Sequence, residues 1–177
     1  MSEQTNTSPF RLATQAPETA TDIVAEVFKL FPKKVGVPEP ILLFSASPGL
    51  LGAQMGMLGY YRSHPHLSFE LLAAIRYLAS RHLEAPACLE FNHKLLLMAG
   101  MTNSEIQALP STGGAFSEAE RAVLDYAVRV LAEPESITDE TIEALRGLGW
   151  TDSNLLDAAM QAVHMQVPAA LLKALKR

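Results

Sequence analysis

The sequence has a single cysteine, Cys88, among 177 residues. That excludes an intrachain disulfide and any metal site built from several thiolates. A chain so poor in cysteine suits a reducing compartment, and the cytoplasm is the expected location. Aromatic residues make up only 7%, with one tryptophan, Trp150. Cations are also scarce: 14 Lys and Arg against 19 Asp and Glu leave a formal net charge of -5. Binding nucleic acid generally, or resting on an anionic membrane, needs a basic surface, so neither partner is expected. Long apolar runs are missing as well. The richest, Ile41 to Tyr61, is interrupted by Ser, Gly, Pro and Gln, and Met1 to Pro17 lacks the apolar core of a secretory signal. No Gly-rich phosphate loop, Gly-x-Ser-x-Gly elbow or His-Glu-x-x-His occurs.

What the chain does have is apolar mass at helical spacing. Hydrophobic residues are 49% of it, enough for one substantial core. No stretch alternates with period two, so the fold class is all-α, a helical bundle. We read residues 1–16 as a flexible or partner-docked arm and residues 17–177 as one helical domain. A first helix is predicted over about Pro17–Phe31, carrying Ile23, Val24, Val27, Phe28 and Phe31 on one side. Short helices follow at about Glu39–Ala46 and Pro48–Arg62. The latter is crowded with Gly49, Gly52, Gly56 and Gly59, which suggests close packing, as at an oligomer contact.

The centre of the chain is a helix, a tight break and a second helix. Ser68 is a good N-cap, and Phe69, Leu72, Ile75 and Ala79 recur at helical spacing beside Leu71 and Leu78. Glu84-Ala85-Pro86 ends this helix, because a residue before proline is driven out of the α region. Pro86 opens the next helix, and Gly100 is placed to close it. Cys88 then falls in a helical first turn, where unpaired amide donors and the helix dipole favour a thiolate. A lone cysteine is also a common small core residue.

Further on, Thr102 with Glu105 and Ser117 with Glu120 have capping-box spacing. The first opens a helix ending near Leu109-Pro110. The second opens a long helix with Val123, Leu124, Ala127, Val130 and Leu131 inward, stopped at Glu133-Pro134. Thr138 caps a short helix, and Thr151 or Asp152 caps another, with Leu155, Leu156, Ala159 and Val163 inward. Pro168 breaks or kinks that helix ahead of a basic tail. The stretches Gly100 to Glu105 and Gly149 to Asn154 echo one another.

Several of these stretches together resemble the alkylhydroperoxidase D-like family, also called the carboxymuconolactone decarboxylase family. They are Phe69 to Ile75, Pro86 to His93, Ala99 to Ile106, Phe116 to Val123 and Gly149 to Leu156, and the likeness covers about Pro17 to Leu172. It implies an all-helical domain that assembles as a homo-oligomer: a dimer, trimer or hexamer. It also implies peroxide chemistry at a Cys-x-x-Cys-x-x-x-His run, served by a glutamate on the preceding helix. Here Cys88 matches the second cysteine, Ala85 stands at the first, and Asn92 stands at the histidine, with His93 next along the chain. A register shifted by one aligns His93 but puts Pro86 and Leu89 at the cysteines. Glu70 is the match to the glutamate, one helical turn further upstream than the family spacing, with an insertion around Arg81 to Glu84 to account for it.

On that basis the candidate catalytic residues are Cys88, Glu70, His93 and Asn92, with no cofactor and no metal. Without a second thiol, the cycle implied is a one-cysteine one: Cys88 is oxidised to a sulfenic acid and reduced by an external thiol. On a helix Cys88 and Asn92 share a face, while His93 points about a quarter-turn away. His164 is a second candidate base. His64-Pro65-His66 reads as a surface turn rather than half a metal site. Two further readings stand beside this one. One is a non-thiol enzyme using Glu70 and a histidine on a small organic acid or lactone, for which Arg62, Arg76 and Arg81 are the available cations. The other is a non-catalytic helical oligomer.

Overall fold

The two predicted central helices form as read, and in a computed structural model describing residues 8–33 and 35–177 they are α4 and α5 in a series of ten. The others are α1 (Asp22–Lys29), α2 (Glu39–Phe44), α3 (Pro48–Arg62), α6 (Asn103–Thr112), α7 (Glu118–Ala132), α8 (Asp139–Gly147), α9 (Asp152–His164) and α10 (Gln166–Leu175), with a single 3₁₀ turn at Pro134–Ser136. Among the described residues the extended structure amounts to one bridge, Phe10 to Lys176. The fold is all-α.

The chain divides into two units. The first comprises residues up to Ser63 together with Ala170–Arg177. Its core gathers Val24, Val27 and Phe28 of α1 with Phe44 and Leu51, and Leu171 packs against it. Helix α1 is shorter than its sequence suggests. Asp22, at the very start of α1, has φ +52°, outside the right-handed helical region, so the helix cannot run unbroken from Pro17. Part of the expected N-terminal arm, residues 1–7, lies outside the described residues. The following segment is tied in place: Phe10 is fully buried, Arg11 N–H donates to Leu175 C=O at 2.8 Å, and Gln15 N–H donates to Ser45 Oγ at 2.8 Å. In α3 the described chain brings nothing within 4 Å of a Cβ built on Gly49, Gly56 or Gly59. Close approach within the unit therefore does not explain these glycines.

The second unit, His64–Ala169, is organised on α4 (Phe69–His82), which packs against α5 (Pro86–Met98), α7 and α9 and touches α6. Leu71, Leu72, Ala73, Ala74, Ile75, Ala79 and Ser80 are all buried, half of a fourteen-residue helix. Burying each of the larger ones contributes about 1.5–3 kcal/mol. Facing elements supply Leu96, Ile106, Val123, Leu124, Leu155 and Ala158, also buried.

The helix ends follow local chemistry. Four capping boxes form, at Thr102 with Glu105, Ser117 with Glu120, Thr138 with Thr141 and Thr151 with Asn154; Thr151, not Asp152, caps α9. Helices α4, α5 and α8 end alike. In each, the N–H two residues past the C-cap reaches back to the carbonyl of the third-last helical residue: Ala85 to Ser80, Met101 to Leu96, and Trp150 to Leu145. The left-handed position between them is Gly100 (φ +95°) and Gly149 (φ +94°) in two cases, but Glu84 (φ +50°) in the third. The echo between Gly100–Glu105 and Gly149–Asn154 is therefore real: a left-handed glycine stop, then a capped start.

Further expectations are corrected. Ile23 and Phe69, read onto the apolar stripes of their helices, are 44% and 49% exposed. Helix α6 does not stop at Leu109-Pro110 but carries Pro110 inside it and closes at Gly113, φ +70°. Leu156 is not inward: it is 71% exposed, because α9 turns Leu155, Ala158 and Ala162 toward its neighbours.

Candidate functional site

Cys88 is the third residue of α5, behind Pro86 in the first turn, as its sequence position requires. The N-cap residue is Ala85, which supplies no side-chain acceptor to the positive end of the first turn. The thiol is buried, 2% exposed. The three-residue turn between α4 and α5 makes them an antiparallel hairpin, and every pairing across it follows from that register.

The register is fixed by Arg76 and Asn92. Arg76 Nε donates to Asn92 Oδ1 at 3.0 Å, and Asn92 Nδ2 donates to the carbonyl of Cys88 at 2.9 Å. Arg76 Nη1 also donates to Gln161 Oε1 on α9, at 2.8 Å. Asn92 and Gln161 are buried. The structure thus joins two of the expected site residues, Cys88 and Asn92, through the backbone of the cysteine's own turn. It adds Gln161, which the sequence reading did not name, and Arg76, named there only as an available cation for the organic-acid reading. Their signal was present: each is a polar residue at core spacing, Arg76 four residues after Leu72 and Gln161 among Ala158, Ala159 and Ala162.

Glu70 and His93 go elsewhere. Glu70 lies in the first turn of α4, six residues before Arg76, while Cys88 lies four before Asn92 on the opposed helix. At 1.5 Å rise per residue, the antiparallel register separates their levels by about 15 Å along the hairpin. His93 turns its Nε2 to Asn103 Oδ1, 3.1 Å away, and its ring lies 6.3 Å from that of Tyr77. His164, at the end of α9, is half-buried, and desolvation lowers its pKa from the ordinary 6.5.

The electrostatics of the cluster are those of a desolvated cation. Burial pushes the Arg76 pKa down from the usual arginine range to about 10, with no acidic neighbour to raise it. Its hydrogen-bond acceptors are neutral amides, and among the described residues it forms no ion pair. A second buried polar pair, also unassigned by sequence, sits at the start of the unit. His64 Nε2 lies 3.1 Å from Asp157 Oδ2, and His64 Nδ1 accepts the Leu67 and His66 backbone N–H groups. Since Nδ1 is an acceptor, the Nε2 proton faces the carboxylate. The His64 side chain is 2% exposed, so the predicted surface turn is pinned to α9 by a buried histidine.

An open cleft of about 580 Å³ lies elsewhere in the unit, between the end of α4 and helices α6 and α7, lined by Arg81, His82, Leu109, Arg121 and Leu124 among others. Cys88, Asn92 and Arg76 do not line it. No cluster of His, Cys, Asp and Glu among the described residues is grouped to hold a metal ion. No helix among them is long and apolar enough to cross a membrane.

Comparison with protein-family models and with curated proteins gives no match. Solved structures do match. An uncharacterised peroxidase-related protein from Ralstonia eutropha JMP134, described as an alkylhydroperoxidase AhpD core, superposes with a TM-score of 0.77 at 16% identity, over 95% of this chain and 90% of that one. An uncharacterised peroxidase-related protein from Silicibacter sp. TM1040 gives 0.78 at 17% identity, over 98% and 93%. The fold implied by the resemblance of Phe69–Ile75, Pro86–His93 and the later stretches is the fold found: this chain has the architecture of the alkylhydroperoxidase AhpD core.

Proposed function

We propose that the chain is a divergent, one-thiol, peroxide-reducing protein of the alkylhydroperoxidase D-like kind, with Cys88 as the reacting group. The observation that carries this reading is positional. Cys88 stands in the first turn of α5, behind an N-cap residue with no side-chain acceptor, and its backbone carbonyl is hydrogen-bonded to Asn92, which in turn holds the Arg76 cation. A first-turn position of this kind is where reactive thiols are found. Two proteins of the same fold that are described as peroxidase-related support it.

The chemistry needs one thiol and an external reductant. The Cys88 thiolate attacks one oxygen of a hydroperoxide, the S–O bond forms, the O–O bond breaks, and the departing alkoxide takes a proton to leave as an alcohol. The sulfenic acid then condenses with an external thiol, releasing water and forming a mixed disulfide. A second external thiol displaces Cys88, carrying both sulfurs away as a disulfide. Asn92 replaces a titrating histidine, so proton transfer falls to water or to the incoming thiol rather than to a fixed base. Glu70, about 15 Å along the hairpin from the Cys88 level, is outside this scheme. Assembly as a homo-oligomer belongs to the same proposal. It is supported by the apolar stripe of Leu156 (71% exposed), Met160 (41%) and Val167 (41%), which runs along α9 and continues onto α10.

A second reading has its own observation. A thiol that is 2% exposed in a site without a second cysteine or a neighbouring acid fits a non-catalytic helical oligomer equally well by packing. One experiment separates them. The native protein is mixed with a hydroperoxide and a small thiol reductant, peroxide consumption is followed, and Cys88 oxidation is read by mass spectrometry with a sulfenic-acid trap. The redox reading expects trapped Cys88 and turnover lost in Cys88→Ser. Oxidation seen only after unfolding in urea establishes the non-catalytic reading. Full activity of Cys88→Ser on a lactone or a small organic acid moves the assignment to non-thiol chemistry.

A further inference from the structure

The cationic cluster at Arg76 has a feature that thiol chemistry does not use. A guanidinium carries five N–H donors. Nε is committed to Asn92 and Nη1 to Gln161, while Nη2 has no hydrogen-bond partner among the described residues. No buried side-chain nitrogen or oxygen among the described residues lacks a partner, so Nη2 must meet solvent. The arrangement is therefore one-sided. Two buried amide oxygens on α5 and α9 hold the Nε and Nη1 sides of the guanidinium, and Nη2 keeps some contact with solvent, its protons not bonded to any described residue. No carboxylate among the described residues pairs with the Arg76 guanidinium. Leaving a largely desolvated cation without a counter-charge costs free energy that an arriving anion recovers.

We propose that Arg76, held by Asn92 and Gln161, is the anchor of a binding site for a small oxyanion, a carboxylate or a phosphate group that docks on the Nη2 edge of the guanidinium. Arginine suits this role because its planar fork is fixed before the ligand arrives and its donors match paired acceptor oxygens. The polar atoms of Asn92 and Gln161 that face the guanidinium are acceptors, so they position the arginine and would repel an anion placed directly on them. The ligand binds at Nη2 and the adjoining Nη1 edge. This inference stands whether or not Cys88 reduces peroxide, because its test reads anion binding and not peroxide turnover.

The side-chain Nε–H signal of Arg76 is followed by NMR in the full chain while sodium acetate, sodium benzoate or inorganic phosphate is added at constant ionic strength, with sodium chloride as control. Saturable movement with the carboxylates or with phosphate, and none with chloride, is the expected result, and the more effective probe identifies the headgroup. Arg76→Met abolishes the binding read by calorimetry. Gln161→Glu supplies an internal counter-charge at the same place and weakens it about tenfold or more, which keeps the test intact if Arg76→Met does not fold. The proposal is overturned if the Arg76 signal does not shift with any probe, or if affinity survives Arg76→Met. It is equally overturned if the chain self-associates through Arg76 with no probe binding, which would place the counter-charge on a second copy.

Discussion

Arg76 Nε and Asn92 Oδ1 meet at 3.0 Å across the α4–α5 hairpin, where the family resemblance places a histidine on α5. An amide there does what imidazole does only in one protonation state: it accepts from a cation on one side and donates to the Cys88 carbonyl on the other.

Removing that amide leaves the arginine's Nε donor and the Cys88 carbonyl unmatched in a buried setting. Asn92→Ala is expected to lower stability by about 2–3 kcal/mol, the cost of an unsatisfied buried group bonded to a charge. Urea unfolding followed by the fluorescence of the single tryptophan, Trp150, measures it, since its indole N–H is anchored to the Ala119 carbonyl at 2.9 Å. A loss below half a kcal/mol would show that the network is not under strain when cut.

Glu84 occupies the left-handed position that glycine fills in the two sister motifs at Gly100 and Gly149. Glu84→Gly is expected to stabilise the chain by about 1 kcal/mol, because the penalty for a Cβ in this region exceeds the entropy cost of glycine. Denaturation midpoints of the two proteins decide it. A fall in stability would mean that the glutamate side chain contributes something its backbone conformation hides.

In α3, Gly56 lies mid-helix with open space where a Cβ would go. Gly56→Ala is expected to stabilise an isolated chain by about 1 kcal/mol through helix propensity. Sedimentation and thermal unfolding are run together on the variant. If the assembly weakens while the helix gains, the glycine face is a contact between copies, as its composition suggests.

Acid should weaken the fold in part through His164. Burial depresses its folded-state pKa below the unfolded 6.5, so the unfolded chain takes up the proton first. The contribution is complete above pH 6.5 and is lost as pH falls through that value toward the depressed one. His164→Gln should flatten this part of the stability profile between pH 7 and 5, by an amount kept small because the ring is only half-buried. An unchanged slope would assign the acid sensitivity to other groups.

What the sequence alone determined was everything encoded within a few residues. Capping boxes at Thr102 and Ser117, the stop at Gly100 and the start at Pro86 depend on neighbours three to six positions apart, and spacing reads them directly. Cys88 in a first turn followed from the same logic. The tertiary structure decided the rest, because it rests on which helix faces meet. Arg76 finds Asn92 16 residues away and Gln161 85 away, and His64 finds Asp157 93 away. Apolarity told that Leu155 and Leu156 could be buried, but only the packing of α9 chose between them. Glu70 and Cys88 are each well placed on their own helices; an antiparallel register, fixed by a short turn, sends the one to the far end of the hairpin from the other.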